Sequence, residues 1–227
     1  MPLIWMSVWL EGATTRNGAM LHDSNLLEPR GYPLFHADRY IPPLPQGYAG
    51  GAFMDEMQKI HTCLLGQLGT LATAGQWMAQ AKKAGKRIWS VLVGHSYPRI
   101  LDLPDEPEKY DYPVEWGHSL SDLAIALPHD FGKGDVGVHL GYGPINRKGL
   151  DAWMKKGVRL IHTTPYGKYS DFKDPANFLW FDLPWRPADA TVDIPGYSVR
   201  ILPGSSAAQS MAYWAMLAEM AHRMGWT

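Results

Sequence analysis

Apolar side chains recur at spacings of three and four between residues 52 and 83, which is typical of amphipathic helices. Gly66, Gly69 and Gly75 interrupt this stretch, so we expect the break between two consecutive helices to fall among them. Lys82 and Lys83 lie where the second helix should end, and their charges suit the negative end of its dipole. The pattern therefore predicts a helical pair ahead of the first strand.

A unit of strand, glycine-containing turn and helix follows. Ile88 to Val93 is an apolar run that predicts a buried strand and leads into Gly94-His95-Ser96. Val136 to Leu140 predicts a second strand, followed by a helix from about Asn146 to Lys156 and a third strand from Val158 to Ile161. Strand, helix and strand in this order form a βαβ crossover, so we expect a parallel sheet. Ligands bind such sheets outside the carboxyl ends of the strands.

Shorter strands and one long helix complete the pattern. Strands are predicted at Asn177 to Phe181, Ala190 to Ile194 and Tyr197 to Leu202. Ser205 is a favourable N-cap for a helix that runs to about Met224. The predicted inward face of this helix comprises Met211, Trp214, Leu217, Ala218 and Ala221. Together these elements predict an α/β fold.

The first 51 residues differ from the rest. They begin with a strand-like apolar run and continue with Gly, Pro and Asn residues that favour turns and irregular structure. A chain of 227 residues is long enough for one large domain. We therefore expect an amino-terminal extension or arm over residues 1–51 and a single α/β domain over residues 52–227.

Composition and charge exclude several classes of protein. The chain has 21 Lys and Arg against 22 Asp and Glu with no long block of either sign, so we expect no nucleic-acid partner. The apolar start lacks a basic flank and is too short to cross a bilayer, so we expect neither a signal peptide nor a membrane partner. Cys63 is the only cysteine, which rules out an intrachain disulfide and fits the cytoplasm.

Small and hydroxyl-bearing residues gather in the turns after the predicted strands, namely Gly94, Ser96, Gly141, Gly143, Thr163 and Thr164. Ser205 and Ser206 open the last helix, where free backbone N–H groups and the helix dipole attract anions. These residues suit a small anion; the alternative is that the serines only cap helices and the glycines only satisfy turns. Asn146 takes the place of the last glycine of G-x-G-x-x-G, and no P-loop motif is present, so we expect no nucleotide cofactor.

Three groups of short motifs support a comparison with a known family. The first runs from Gly85-Lys86-Arg87 to Gly94-His95-Ser96, and the second joins Gly134-Asp135-Val136 to Gly143, Asn146 and Gly157-Val158-Arg159. The third joins Ala188 to Gly196 with Pro203-Gly204-Ser205-Ser206-Ala207 and Ala218-Glu219. In order and spacing these motifs resemble the SIS (sugar isomerase) phosphosugar-binding family, in its phosphoheptose-isomerase-like branch. The resemblance covers roughly residues 52 to 224.

The resemblance implies a three-layer αβα sandwich with a mainly five-stranded parallel sheet of flavodoxin-like type, and a homodimer. It also implies that a phosphorylated sugar or similar small anion binds in the loops, without a cofactor. Carried over by position, the ligand-binding residues are Gly94, Ser96, Gly143, Asn146, Thr163, Thr164, Ser170, Ser205 and Ser206.

One segment departs from the family pattern. The second loop is serine-rich in the family, whereas this chain has His139-Leu140-Gly141-Tyr142-Gly143-Pro144. Two functions are therefore open: a sugar-phosphate (aldose-ketose) isomerase, or a non-catalytic phosphosugar sensor or scaffold that dimerises without chemistry.

Aldose-ketose isomerisation needs a base that moves a proton between adjacent carbons. His95 and Glu219 are the candidate catalytic residues; the alternatives are that His95 bonds a backbone carbonyl and that Glu219 is solvated or paired. The remaining candidates for metal ligands, His118, His129, His139 and His162, are scattered at strand ends. Because they lack the close helical spacing of a zinc site, we expect no metal.

Overall fold

The computed structural model describes residues 44–93, 115–119, 131–140, 147–164, 176–184, 190–193, 195 and 201–226. The chain divides into two compact units. One comprises Met1–Ile60 and Trp185–Ser205, and the other comprises His61–Pro184 and Ser206–Thr227. The predicted division into an arm of residues 1–51 and a domain of residues 52–227 stays a prediction, because most of the arm lies outside the described residues.

Four helices and seven strands are found in these ranges, and they are numbered here in chain order. In the described ranges no helix is long and apolar enough to cross a membrane. The elements are α1 Tyr48–Leu65, α2 Leu68–Lys83, β1 Ile88–Val93, β2 Glu115–Ser119, β3 Val136–Leu140, α3 Arg147–Lys155, β4 Arg159–Thr164, β5 Phe178–Asp182, β6 Ala190–Val192, β7 Ile201–Pro203 and α4 Ser205–Met224.

The second unit is built around a parallel sheet. β3 pairs with β1 on one side and with β4 on the other, and β5 continues the sheet beyond β4. β2 pairs in parallel with the outer side of β1, which gives the order β2-β1-β3-β4-β5. The predicted α/β class, with a parallel sheet and helices, is confirmed. β2 itself was not predicted, because its sequence Glu-Trp-Gly-His-Ser contains no apolar run.

The main core lies between one face of this sheet and the helices α2 and α4. Alternate residues of a strand point to the same face, and Val136, Val138 and Leu140 of β3 are fully buried there. Burial of each such side chain contributes roughly 1.5–3 kcal/mol, so this layer supplies much of the stability. The helices contribute Leu71, Ala74, Trp77, Met78, Ala79, Ala81, Tyr213, Met216 and Met220.

α2 and α4 cross closely at Gly75. A Cβ atom at this position would lie 2.6 Å from the Cβ of Glu219 and 2.9 Å from the backbone nitrogen of Met220. Gly75 therefore lies within α2 as a helix-packing residue, and the expectation that it could break the helix is wrong. Gly69 also lies inside α2, and the break falls at Gly66 and Gln67.

The inward face predicted for α4 is also wrong. Trp214 is 38% exposed and Ala218 is exposed, although both were placed on that face. The buried side chains lie one position away around the helix, at Ala208, Gln209, Ala212, Tyr213, Met216 and Met220. α4 is apolar on most sides, so its periodicity alone does not select one face.

The opposite face of the sheet packs against α3. Trp153 of α3 is 1% exposed, and its ring occupies the space where a Cβ on Gly137 of β3 would stand. Helices thus lie against both faces of the sheet. The absence of a side chain at Gly137 sets how closely α3 approaches.

The first unit contains a small antiparallel pair of strands. β6 and β7 pair with Ala190 opposite Pro203 and Val192 opposite Ile201. The Thr191 hydroxyl donates to the carbonyl of Leu202 over 2.8 Å, which ties the pair together. Val192 packs against the apolar residues Leu44, Ala49, Ala52, Phe53 and Leu202.

Gln67, between α1 and α2, holds the end of β5. Its side-chain Nε2 donates to the carbonyl of Asp182 over 2.6 Å, and its Oε1 accepts from the backbone N–H of Asp182 over 2.9 Å. One amide side chain therefore satisfies both backbone groups of the last residue of the strand. The free thiol of Cys63 also donates to this carbonyl over 3.4 Å.

Substitution of Gly137 tests the packing of α3. Gly137→Ala should lower the free energy of unfolding by about 1–3 kcal/mol, because the added Cβ overlaps the Trp153 ring and forces α3 away from the sheet. Urea denaturation measures the change. Gly69→Ala is the matched control: it has open space in the first turn of α2 and should leave stability unchanged or slightly raised. Equal effects of the two substitutions would contradict this packing.

Candidate functional site

The carboxyl ends of β1, β3 and β4 lie side by side; we call this region the carboxyl edge. Leu92 pairs with Leu140, and Leu140 pairs with Thr163. The order of strands reverses here, since β2 lies outside β1 while β4 and β5 lie beyond β3. In open parallel sheets such a reversal leaves a ligand crevice outside the strand ends.

The structure describes only some of the residues predicted to bind a ligand. Thr163 and Thr164 are the last two residues of β4, which runs further than the strand predicted to end at Ile161. Ser205 and Ser206 are the first two residues of α4, and the buried Ser205 belongs to the first unit. The predicted site residues outside the described ranges are Gly94, His95, Ser96, Gly143, Asn146 and Ser170. Their roles stay predictions.

Thr163 is the predicted residue with the most informative surroundings. It is fully buried, and its hydroxyl has no hydrogen-bond partner among the described residues. Its pairing with Leu140 places it on the sheet face that packs against α2 and α4. A buried hydroxyl without a partner costs roughly 1–3 kcal/mol, so the site at the carboxyl edge suits a ligand that completes this bond.

Gln209 brings α4 to the same place. Its Nε2 donates to the carbonyl of Leu140, the last residue of β3, over 3.2 Å, and both residues are buried. The early turns of α4 thus lie at the carboxyl edge, next to the strand position of Thr163. The first turn of α4 contains no acidic residue, so no carboxylate there neutralises the positive end of the helix dipole.

Sequence reasoning missed Gln209. The available signal was its spacing of four residues from Tyr213, which puts both polar side chains on the same side of the helix. Tyr213 is also buried, and burial raises the pKa of its phenol well above the ordinary value of 10.0. The amide of Gln209 and the phenol of Tyr213 are both neutral at physiological pH. They therefore add buried polar atoms to this part of α4 without adding a net charge.

Glu219, predicted as a catalytic base, lies elsewhere. It is ten residues beyond Gln209, which corresponds to about 15 Å along the helix axis. Its carboxylate forms an ion pair with Arg223 over 3.1 Å, on the part of α4 that crosses α2 at Gly75. The structure therefore does not bring Glu219 to Gln209, and its catalytic role stays a prediction.

A pair of histidines lies on the other face of the sheet, toward α3. His139 of β3 and His162 of β4 are register partners, are 2% and 0% exposed, and bring their Nδ1 atoms to 2.7 Å. Their ring planes lie within 5° of parallel and their centroids are 4.7 Å apart. The centroid distance greatly exceeds the Nδ1–Nδ1 distance, which indicates that the rings meet edge to edge through a hydrogen bond.

This contact requires one proton between the two rings. One Nδ1 must donate and the other accept, so the two neutral rings adopt opposite tautomers. Burial lowers the pKa of His139 from 6.5 to about 4, and burial together with the neighbouring His139 lowers the pKa of His162 well below 6.5. The pair is therefore neutral at physiological pH.

Aromatic side chains continue this layer toward β5. The His162 ring centroid lies 5.1 Å from that of Trp180 and 6.1 Å from that of Phe178. The Nε2 atoms of both histidines are buried without a hydrogen-bond partner among the described residues. Each histidine therefore contributes one buried polar atom that the described protein leaves unmatched.

The sequence contained a signal for this pair that we did not use. His139 stands five residues after Gly134, and His162 stands five residues after Gly157. Both glycines have positive φ, at 92° and 75°, and each precedes a strand of the same crossover. Strands that start at equivalent points and run parallel place equivalent residues side by side.

A metal ion does not fit between these two Nδ1 atoms. Two nitrogens that bind one tetrahedral zinc lie about 3.3 Å apart, because each bond is roughly 2.0–2.1 Å long. The observed 2.7 Å is too short. Among the described residues there is also no group of three or more His, Cys, Asp or Glu side chains that is arranged to hold a metal.

Replacement of Thr163 by valine tests whether its hydroxyl is unpaired. Thr163→Val keeps the shape and removes the buried hydroxyl, so the free energy of unfolding without ligand should rise by about 1 kcal/mol. Thr191→Val is the control: its hydroxyl is bonded to Leu202, and its loss should lower stability by about 1 kcal/mol. Urea denaturation measures both values. A Thr163→Val protein as destabilised as the control would show that its hydroxyl has a partner.

The histidine pair predicts a loss of stability in acid. In the unfolded chain each ring takes up a proton near its ordinary pKa of 6.5, whereas in the folded chain it does so only at lower pH. The unfolded state binds more protons in this window, so the free energy of unfolding should fall as the pH drops below 6.5 toward 4. His139 alone should contribute about 3 kcal/mol to this fall.

Urea denaturation from pH 8 to pH 4 measures this dependence. The double variant His139→Leu/His162→Leu should have a flatter profile than the wild type, and His61→Asn, a change at an exposed histidine, should keep the wild-type profile. Parallel profiles for the wild type and the double variant would contradict the prediction.

Comparison with known proteins leaves the family open. The chain matches no sequence model of a known protein family and no curated protein. The resemblance to SIS domains therefore stays a prediction, and a function is inferred from the residues of the carboxyl edge.

Proposed function

We propose that this chain is a phosphosugar-binding protein of the SIS type that holds the phosphate, or a similar small anion, at the carboxyl edge. The observation that carries this proposal is the position of Thr163. Its buried hydroxyl lies on the face that packs against α4, beside the residue where Gln209 docks. A hydrogen-bond donor and the second turn of a long helix thus lie at the paired ends of β3 and β4.

The electrostatics of α4 favour an anion. The amino-terminal end of a helix has free backbone N–H groups and a partial positive charge, which together bind phosphate. No acidic residue in the first turn competes with a bound anion. Gln209 and Thr163 add neutral polar groups, which suits a ligand whose charge is matched mainly by the helix.

The strand order supports the flavodoxin-like sheet that we include in the proposal. The order β2-β1-β3-β4-β5 is that of flavodoxin-like sheets, which bind their ligand where the order reverses. The pairing of β2 with β1 supports the mainly five-stranded sheet that we propose from the resemblance. The proposal extends to a homodimer, as the resemblance implies, and to the cytoplasm, which the single cysteine fits. Light scattering on the purified protein tests the dimer.

Binding is better supported than isomerisation. Glu219, one of the two predicted bases, is paired with Arg223 and lies about 15 Å along α4 from Gln209. The other base, His95, lies outside the described residues. The proposal is therefore a phosphosugar sensor or binding protein, with sugar-phosphate isomerase as the second function.

A thermal-shift series with sugar phosphates and inorganic phosphate tests binding. A ligand that binds only the folded protein raises the melting temperature, so at least one of these anions should raise it at millimolar concentration. Thr163→Val should weaken the affinity about tenfold, because it removes one hydrogen bond to a charged group. Thr191→Val should bind like the wild type, since its hydroxyl already donates to the carbonyl of Leu202. No shift with any of the anions would refute the proposal.

Hydrogen exchange at the substrate carbon separates the two functions. Proton NMR in deuterated water should show no exchange into a bound sugar phosphate if the protein is a sensor. Exchange that disappears in His95→Ala or Glu219→Gln would instead establish an isomerase. Exchange that survives both substitutions would exclude these two residues as the base.

A further inference from the structure

The hydrogen bond between His139 and His162 is compatible with only one proton between the two Nδ1 atoms. At 2.7 Å, one nitrogen must carry hydrogen and the other must present its lone pair. When both rings are protonated, both Nδ1 atoms are donors and two positive charges lie side by side. The contact then becomes repulsive, and the two side chains must separate.

The described surroundings do little to stabilise a charge on the pair. Burial is the main cause of the lowered pKa of both rings, and for His162 the second cause is His139 itself. Three carboxylates belong to the elements packed around the pair: Asp135 ahead of β3, Asp151 in α3 and Asp182 at the end of β5. Asp135 is held by the backbone N–H groups of Gly132 and Arg87, and Asp182 is exposed.

The cationic side chains on these elements do not stabilise a positive charge on the pair either. α3 ends with Lys155, and β4 begins with Arg159, whose guanidinium binds the side-chain oxygen of Gln80. Phe178 and Trp180, which β5 places against His162, carry no charge. A protonated pair would thus lie among aromatic rings and an apolar helix face.

The pair is directly connected to the proposed anion site. His139 precedes Leu140, and His162 precedes Thr163, so the same two strand ends carry the pair on one face and the site on the other. Separation of the two rings would draw β3 and β4 apart at this end. The Gln209 contact with Leu140 and the position of Thr163 would change together.

We propose that the His139–His162 pair is an acid-sensitive latch that holds the carboxyl ends of β3 and β4 together at neutral pH and releases them in acid, which weakens anion binding at Thr163. The opening of the strands follows from the histidine pair alone and does not require a bound anion. The effect on the anion rests on the function proposed above.

Hydrogen exchange of backbone amides tests the opening. After correction for the intrinsic pH dependence of exchange, protection of the amides in β3 and β4 should fall more than about tenfold between pH 6.5 and pH 5, because opening is linked to proton uptake. Amides of α2 should change less. The variant His139→Leu/His162→Leu should keep its protection, and His61→Asn should behave like the wild type. Unchanged protection at pH 5, or an equal loss in the double variant, would overturn the latch.

Nitrogen-15 NMR of the wild-type histidines gives a second test that needs no variant to fold. At neutral pH one ring of the pair should carry its proton on Nδ1 and the other on Nε2. Two rings that both carry the proton on Nε2 would have no hydrogen bond between them, and the latch would be excluded.

Sulfate tests the link to the site, because it keeps its double negative charge from pH 7 to pH 4. Calorimetry should show that the wild type binds sulfate more weakly at pH 4, where protonation of the pair begins, than at pH 7, while the affinity of the double variant changes less. Equal wild-type affinity despite strand opening would overturn the link. If sulfate and phosphate bind at neither pH, the proposed function is wrong, and the exchange experiment alone decides the latch.

Discussion

The register between β3 and β4 is the constraint on which the rest of the second unit depends. Because side chains alternate between faces, this one alignment places Leu140 beside Thr163 against α4 and places His139 beside His162 toward α3. A slip of one residue would exchange the two faces and bury the histidines among the methionines of α4. The alignment is fixed by residues with no polar role, since Val136 and Val138 fill the core on one face and the Trp153 ring covers the other.

The two faces of the sheet therefore differ in composition, although the same strands form both. The α4 face is mostly apolar, and its buried polar residues include Thr163 and Gln209 near the strand ends and Ser90 in the middle of β1. The α3 face is aromatic, and its two histidines pair through their Nδ1 atoms while their Nε2 atoms have no partner among the described residues. Apolar burial on both sides stabilises the sheet enough to tolerate buried polar atoms at its end, each of which costs roughly 1–3 kcal/mol when unmatched. Proteins typically keep unmatched buried polar atoms at functional sites, where a ligand can supply the missing hydrogen bond.

Local patterns in the sequence predicted most of the described elements but not the contacts between them. Ile88 to Val93 is an uninterrupted apolar run, and β1 has those bounds. β2 was missed because a strand at the side of a sheet needs no continuous apolar run. Gly75 was interpreted by its weak helix propensity, whereas its role is set by α4, which is more than a hundred residues away in the chain. The bond between His139 and His162 likewise depends on the parallel register, which no local pattern contains. For Thr163, the turn chemistry predicted a ligand residue, and only the fold revealed that its hydroxyl is buried.

The amide of Gln67 has a consequence for how copies of this protein behave toward one another. β5 is the outermost described strand on its side of the sheet, and a strand in that position exposes a row of backbone groups onto which another chain can add. At Asp182 both groups are already taken by one side chain. An incoming strand would find no free donor or acceptor at that residue, so its ladder of hydrogen bonds would be interrupted there. A single glutamine in the connection between two helices thus helps to keep the sheet from growing into an aggregate.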